Sequence, residues 1–368
     1  MRKIRYAVIG LGHIAQTAML PAFKNSKNSE LTALVSGDPV KLKKLGRKYG
    51  VNHLYNYEQI DQCLNLDLID AVYIALPNNL HREYAEKAAR AGLHVLCEKP
   101  MALNERDCTA MIEACADADV KLMIAYRLHF ERTNMKAVEI VKSGKLGEPR
   151  IFNGSFTMQI TDRENIRLQK KMGGGTLWDI GIYCLNAARY IFQDEPTEVM
   201  CMQARGKDKR FSEIDEMSSV ILKFPKERLA TFTSSFGAAN SAYFDIIGTK
   251  GSLCADPAYE HAESLEMQVT IGERTKKHTF PKRDQFGAEL TYFSDCIIND
   301  EDPEPSGYEG LADVRMIDAL LKSAHLGRMI HIEPIPKKKQ EKRPDLSQEI
   351  RKKPFGKTET VHVTAPHK

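Results

Sequence analysis

Apolar runs alternate with amphipathic stretches through the first third of the chain. Nearly continuous apolar runs at Arg5–Gly10, Leu31–Ser36, Ala71–Pro77, His94–Cys97 and Lys121–Tyr126 predict strands buried on both faces. Helical spacing predicts helices between them over Gln16–Asn25, Val40–Tyr49, Arg82–Ala91 and Glu105–Ala118. A weaker strand is expected at His53–Tyr55, with a short helix running through Gln62. This alternation predicts an α/β fold with a doubly wound parallel sheet, whose ligands bind at the carboxyl ends of the strands.

Beyond about residue 150 the pattern changes. Ile151–Gln159, Glu198–Arg205, Ser218–Phe224, Leu229–Ser235, Ala242–Gly248 and Met267–Ile271 follow one another as strands, joined by short turns such as Pro225-Lys226-Glu227. Helices are expected at Leu177–Ile191, Ala288–Ile298 and Leu311–Leu326. The second domain is therefore α+β, with a large open and mostly antiparallel sheet. The expected boundaries are 1–128, 129–333 and a C-terminal tail, 334–368. A large open sheet needs its exposed face covered, so a homodimer or homotetramer is expected.

At 368 residues the chain is long enough for two sizeable cores. No apolar run approaches the roughly 20 residues that cross a bilayer, and the opening apolar run is taken up by the first strand rather than by a signal peptide. No membrane partner and a cytoplasmic location are therefore expected. The net charge of +4 is unevenly placed: residues 336–368 hold ten Lys or Arg against four Asp or Glu, so the tail carries +6 and the body −2. A nearly neutral body offers no footprint for nucleic acid, and the tail reads as a solvated extension. Eight scattered cysteines without a C-x-x-C fit a reducing compartment and argue against a zinc site, a disulfide framework or any other metal.

The candidate chemistry begins at Gly10-Leu11-Gly12-His13-Ile14-Ala15, where a strand enters a glycine-rich turn and then a helix. Gly10 permits the turn, Gly12 leaves room for a pyrophosphate, and Ala15 lets the helix pack on the strand: a dinucleotide site. The acid that usually ends the second strand and holds a ribose 2′-hydroxyl is replaced by Ser36, with Lys41 on the next helix, which favours a 2′-phosphate and hence NADP. The alternative is that Asp38, two residues on, serves NAD and Lys41 is a solvated helix charge. Lys99 in Cys97-Glu98-Lys99-Pro100 lies at the carboxyl edge of the sheet, where a partly desolvated lysine exchanges protons; taken alone, the same residues read as a surface turn. The block Gly173–Tyr183 is a glycine-rich loop entering a helix, with Asp179 and Tyr183 four apart on one face. They suit alcohol/carbonyl chemistry, or else a capping aspartate beside a half-buried core tyrosine.

Together with Ala75-Leu76-Pro77-Asn78-Asn79-Leu80-His81 and Ala125-Tyr126-Arg127, these motifs resemble the Gfo/Idh/MocA oxidoreductases, and within them the glucose–fructose oxidoreductase branch, from about Ile4 to Ile332. The resemblance implies a Rossmann domain followed by a sheet domain with the substrate between them. It also implies hydride transfer between NADP(H) and a sugar or polyol. It assigns catalysis to Lys99, Asp179 and Tyr183, the tyrosine standing where most members carry a histidine. The cofactor residues it implies are Gly10, Gly12, His13, Ile14, Ser36, Lys41, Tyr57, Leu76, Pro77, Asn78, His81, Glu98, Lys99 and Arg127. Relatives on the same fold act as trans-dihydrodiol dehydrogenases, anhydrofructose reductases, NAD-dependent glycosidases or NADP-sensing regulators. The retained Lys99, Asp179 and Tyr183 argue against a sensor.

Overall fold

In the computed structural model, residues 2–261, 263–333, 335, 351–356 and 358–363 are described. They form two compact units. The first takes Met1–Phe130, Arg283–Leu311 and the described part of the C-terminal segment; the second takes Glu131–Lys282 and most of the described residues after 311.

The sheet of the first unit has six strands: β1 (Ile4–Ile9), β2 (Ser29–Val35), β3 (His53–Tyr55), β4 (Ala71–Ile74), β5 (His94–Glu98) and β6 (Leu122–Ala125). All pairings are parallel, in the order β3-β2-β1-β4-β5-β6. The winding direction reverses at β1, so the crevice for a ligand opens between the carboxyl ends of β1 and β4. Helices Pro39–Tyr49, His81–Arg90 and Glu105–Asp117 form the crossovers within a residue or so of expectation. The regular helix expected over Gln16–Asn25 is instead a wide five-residue turn, Ala15–Met19, running into Leu20–Ala22. Pro21 lacks an N–H, so no regular ladder can pass it, and the Leu20 N–H reaches back to Ala15.

The helix Gln285–Asn299, expected in the second domain, packs on the first unit. Its Phe286, Leu290, Phe293 and Ile297 recur at helical spacing and join the core formed by Tyr6, Val8, Met19, Tyr73 and Phe130. The Tyr6 hydroxyl meets Ser294 Oγ at 2.8 Å inside that core. The expected boundary at 333 and the solvated tail both require amendment. Residues 351–356 and 358–363 belong to the first unit and are hydrogen-bonded to it, whereas 334, 336–350, 357 and 364–368 lie outside the described residues.

The sheet of the second unit has nine strands: β7 (Pro149–Thr157), β8 (Glu198–Ala204), β9 (Met217–Phe224), β10 (Arg228–Ser235), β11 (Ser241–Gly248), β12 (Gly251–Ala255), β13 (Leu265–Ile271), β14 (Arg274–Phe280) and β15 (Ile330–His331). Only β7 and β10 pair in parallel; the other ladders are antiparallel. The pattern analysis missed β12, β14, β15 and the helix Arg132–Lys142. β14 (RTKKHTF) is a charged, exposed edge strand whose only apolar anchor is its last residue, so it shows no buried face to detect. In β9, Val220, Leu222 and Phe224 are buried and Ile221 is exposed. The open face of the sheet presents Ile151, Met200, Met202, Ile221, Leu229 and Ile247, with Met202 71% accessible. Among the described residues no helix is long and apolar enough to cross a membrane.

At Gly10 the backbone is left-handed, with φ +94°, and an added Cβ would lie 2.4 Å from the Ala75 carbonyl oxygen. Gly10→Ala is expected to lower unfolding free energy by about 3 kcal/mol, read from urea denaturation. Gly12→Ala, which meets no protein atom within 4 Å, is expected to leave stability within about 0.5 kcal/mol of wild type.

Candidate active site

The glycine turn is held between neighbouring strands. Gly10 N–H donates to Val35 O (3.0 Å), and Ala75 N–H donates to Ile9 O (2.8 Å). The space that a Gly12 side chain would occupy is open, with no heavy atom within 4 Å. That is the cradle a pyrophosphate needs, and His13 and Ile14 flank it partly exposed. At the far end, Ser36 is buried after β2, and its hydroxyl accepts the Asp38 N–H at 3.2 Å. Asp38 caps the Pro39–Tyr49 helix, its Oδ1 taking the N–H groups of Val40 (2.8 Å) and Lys41 (3.1 Å). The Tyr57 ring stands against Gly37, where an added Cβ would come within 3.2 Å of it. Tyr57, about twenty residues on in sequence, is thus brought beside the turn that follows Ser36. The groups present fit a dinucleotide.

Leu76, Pro77 and Asn78 continue from β4 and lead to His81. His81 is fully buried: Nδ1 lies 2.9 Å from Pro100 O and Nε2 lies 2.9 Å from Leu76 O. Burial pushes its pKa down, while the two carbonyl oxygens oppose that push. His81 therefore ties the loop after β4 to the loop after β5. Lys99 sits half-buried in the second loop, its N–H donating to Glu98 Oε2 at 3.2 Å. Burial raises the Glu98 pKa, and the Tyr73 hydroxyl donates to its Oε1 at 2.5 Å. Arg127, 7% accessible, donates to Gln285 Oε1 at 2.8 Å.

The motif analysis did not identify Glu289. It is fully buried on the Gln285–Asn299 helix, and neither carboxyl oxygen has a hydrogen-bond partner among the described residues. Burial holds its pKa well above the carboxylate range; Glu98 adds to the rise and Arg127 opposes it. A lone glutamate among amphipathic helix positions carries no signal in sequence.

In the second unit the glycine triplet wraps a turn. Gly174 N–H donates to Gln169 O and Gly175 N–H to Arg167 O, both at 3.0 Å. A Cβ at Gly174 would lie 2.4 Å from the Arg167 carbonyl oxygen. That closeness brings Arg167 Nε to Asp179 Oδ2 at 2.5 Å, an ion pair that motif reading had not found. Asp179 lies in a wide turn, Leu177–Gly181, that opens the Ile182–Phe192 helix, and Tyr183 follows one turn later. Both are half-buried. The Tyr183 ring packs edge-on to Phe156, centroids 5.5 Å apart, and near Tyr259 at 6.3 Å. An oriented carboxylate and a phenol braced by aromatic rings suit proton transfer to a hydroxyl.

Comparison with known proteins agrees with this arrangement. Residues 4–126 match the Gfo/Idh/MocA oxidoreductase family, NAD-binding Rossmann fold, and residues 134–254 match the GFO/IDH/MocA C-terminal domain. The chain belongs to the Gfo/Idh/MocA oxidoreductase family. It is 31% identical to a D-xylose 1-dehydrogenase [NADP(+)] of Haloarcula marismortui, over 90% of this chain and 93% of that one. A crystal structure of aldose–aldose oxidoreductase from Caulobacter crescentus complexed with glycerol is similar at TM-score 0.87 and 39% identity, covering 90% of this chain and all of that one. A 3-ketoreductase from Actinomadura kijaniata, in complex with NADP and TDP-benzene, is similar at TM-score 0.80 and 25% identity, covering 88% and 98%.

Within this family member, Glu289 gives a pH signature. Both folded and unfolded states hold it neutral below about pH 4.5, and above that only the unfolded state ionises readily, so stability is lost as pH rises toward the folded-state pKa. The limiting slope is about 1.4 kcal/mol per pH unit. Glu289→Gln is expected to match wild type near pH 4.5 and to gain on it as pH rises above that, as measured by denaturant unfolding at each pH.

Proposed function

We propose that the protein is an NADP-dependent oxidoreductase that transfers hydride between the cofactor and an aldose or a related polyol. One observation carries the reading. A glycine turn at the switch point of the sheet, with a serine rather than an acid ending β2, occurs in a chain similar along nine-tenths of its length to an NADP-dependent xylose dehydrogenase. Gly10, Gly12, His13 and Ile14 hold the pyrophosphate; Ser36, Lys41 and Tyr57 hold the ribose 2′-phosphate side; Leu76, Pro77, Asn78, Glu98 and Arg127 line the remainder. Bound there, NADP accepts or returns a hydride at its nicotinamide ring.

The chain's own residues manage the proton. In the oxidative direction Tyr183 takes the proton of the substrate hydroxyl, and the Lys99 ammonium stabilises the negative charge that develops on that oxygen. Asp179, oriented by Arg167, accepts hydrogen bonds from neighbouring substrate hydroxyls. Arg127, steadied by Gln285, donates hydrogen bonds to substrate hydroxyls. Free thiols at all eight cysteines support a cytoplasmic setting. The apolar open face of the second sheet, from Met202 to Leu229, supports assembly into a homodimer or homotetramer.

Absorbance of reduced cofactor, followed with a panel of aldoses, polyols and diols plus NADP⁺, is the direct assay. Lys99→Ala and Tyr183→Phe should each lower turnover by roughly 10²–10⁴-fold while NADP⁺ still binds. Near wild-type turnover in both would end the reading. Met202→Glu with Ile221→Glu should convert the protein to its 41.5 kDa monomer in light scattering, against at least twice that mass for wild type. A wild-type monomer would contradict the assembly.

A further inference from the structure

Described residues of the C-terminal segment, 351–356 and 358–363, are hydrogen-bonded to the first unit, the last of them near the glycine turn. Asp284 N–H donates to Lys352 O (3.0 Å), Asn25 Nδ2 to Lys353 O (3.4 Å), and the Lys24 ammonium lies 5.7 Å from the centre of the Phe355 ring. Val361 then pairs with the side chain of Gln16, the residue that follows the glycine motif. Val361 N–H donates to Gln16 Oε1 (2.8 Å), and Gln16 Nε2 donates to Val361 O (3.0 Å) and to Leu11 O (2.8 Å). Gln16 is fully buried, and Val361 packs on the core of the first unit. The next residue, His362, places Nδ1 2.7 Å from Asp38 Oδ2. The tail therefore bridges the two ends of the crevice, from the pyrophosphate turn to the residues after β2.

Asp38 is where the arrangement has a consequence. Its backbone N–H binds the Ser36 hydroxyl, so its carboxylate stands two residues from the group that takes the ribose. A carboxylate at the end of the second strand favours a free 2′-hydroxyl and repels a 2′-phosphate. The His362 ring engages one oxygen of that carboxylate, and a hydrogen bond there weakens its repulsion of a 2′-phosphate. We propose that residues 358–363 form a strap belonging to the cofactor site, and that His362, by pairing with Asp38, sets the preference for a 2′-phosphorylated dinucleotide. His362 is a positioning residue here: it acts through Asp38. The inference rests on the reading that the first unit takes NADP.

The test uses the full-length protein freed of nucleotide, titrated calorimetrically with NADP⁺, NAD⁺ and 2′,5′-ADP. His362 is largely exposed, so its substitution leaves folding intact. His362→Gln should weaken NADP⁺ and 2′,5′-ADP binding about tenfold, the effect of losing one hydrogen-bond partner of a carboxylate at a partly solvated site, with NAD⁺ binding little changed. His362→Lys, which sets a fixed positive charge against Asp38, should restore most of the loss. A chain ending at residue 357 should weaken both dinucleotides, NADP⁺ more than NAD⁺. Hydrogen exchange at the Val361 amide in wild type should slow when NADP⁺ is added. An unchanged NADP⁺ to NAD⁺ affinity ratio in His362→Gln and in the shortened chain overturns the strap while leaving the oxidoreductase reading standing. Failure of wild type to bind either dinucleotide overturns both.

Discussion

The approach of two backbone segments at one point governs the first unit. Gly10 sits so close to the Ala75 carbonyl that no side chain fits between them. That contact joins the turn after β1 to the end of β4, the place where the winding of the sheet reverses and a crevice opens. From Ala75 the chain runs through Leu76 and Pro77 to His81, whose two ring nitrogens fasten this loop to Pro100. The loop that carries Lys99 is thereby tied to the loop after β4. One missing methyl group thus sets the cofactor turn and the loop that carries the candidate lysine.

The second unit repeats the device with a different outcome. Gly174 closes onto the Arg167 carbonyl, which swings the guanidinium onto Asp179. Asp179 and Tyr183 then leave the helix at a wide turn, a geometry common at functional sites. In both units a glycine without room for a Cβ positions a polar side chain that a regular helix start would have aimed elsewhere.

Much of this was legible in the sequence where a residue's role is local. The five buried strands, the glycine turn, the Glu98-Lys99-Pro100 edge and the Asp179–Tyr183 spacing all depend on near neighbours. Tyr57 was harder, because only the fold shows that its ring rests on Gly37 beside Ser36. The pairs Arg167–Asp179 and Arg127–Gln285, and the buried Glu289, were invisible, since each depends on tertiary placement of an ordinary-looking polar residue. The Gln285–Asn299 helix was seen and given to the wrong unit: its apolar stripe says that it packs, not on what. The tail reads as solvent-facing from its charge, yet Val361 and His362 carry hydrogen bonds that charge counting cannot reveal.

Under the proposed reading, Lys99 and Tyr183 both serve hydride transfer from a sugar to NADP⁺. The measurement closest to that claim is transfer of label from an aldose deuterated at C1 to NADP⁺, followed by mass spectrometry of the recovered cofactor under single-turnover conditions. The account predicts deuterium in the reduced cofactor with wild type and little in the time of one turnover when either Lys99 or Tyr183 is replaced. Unlabelled cofactor with every aldose and polyol tried, or equal labelling by wild type and both variants, would contradict it.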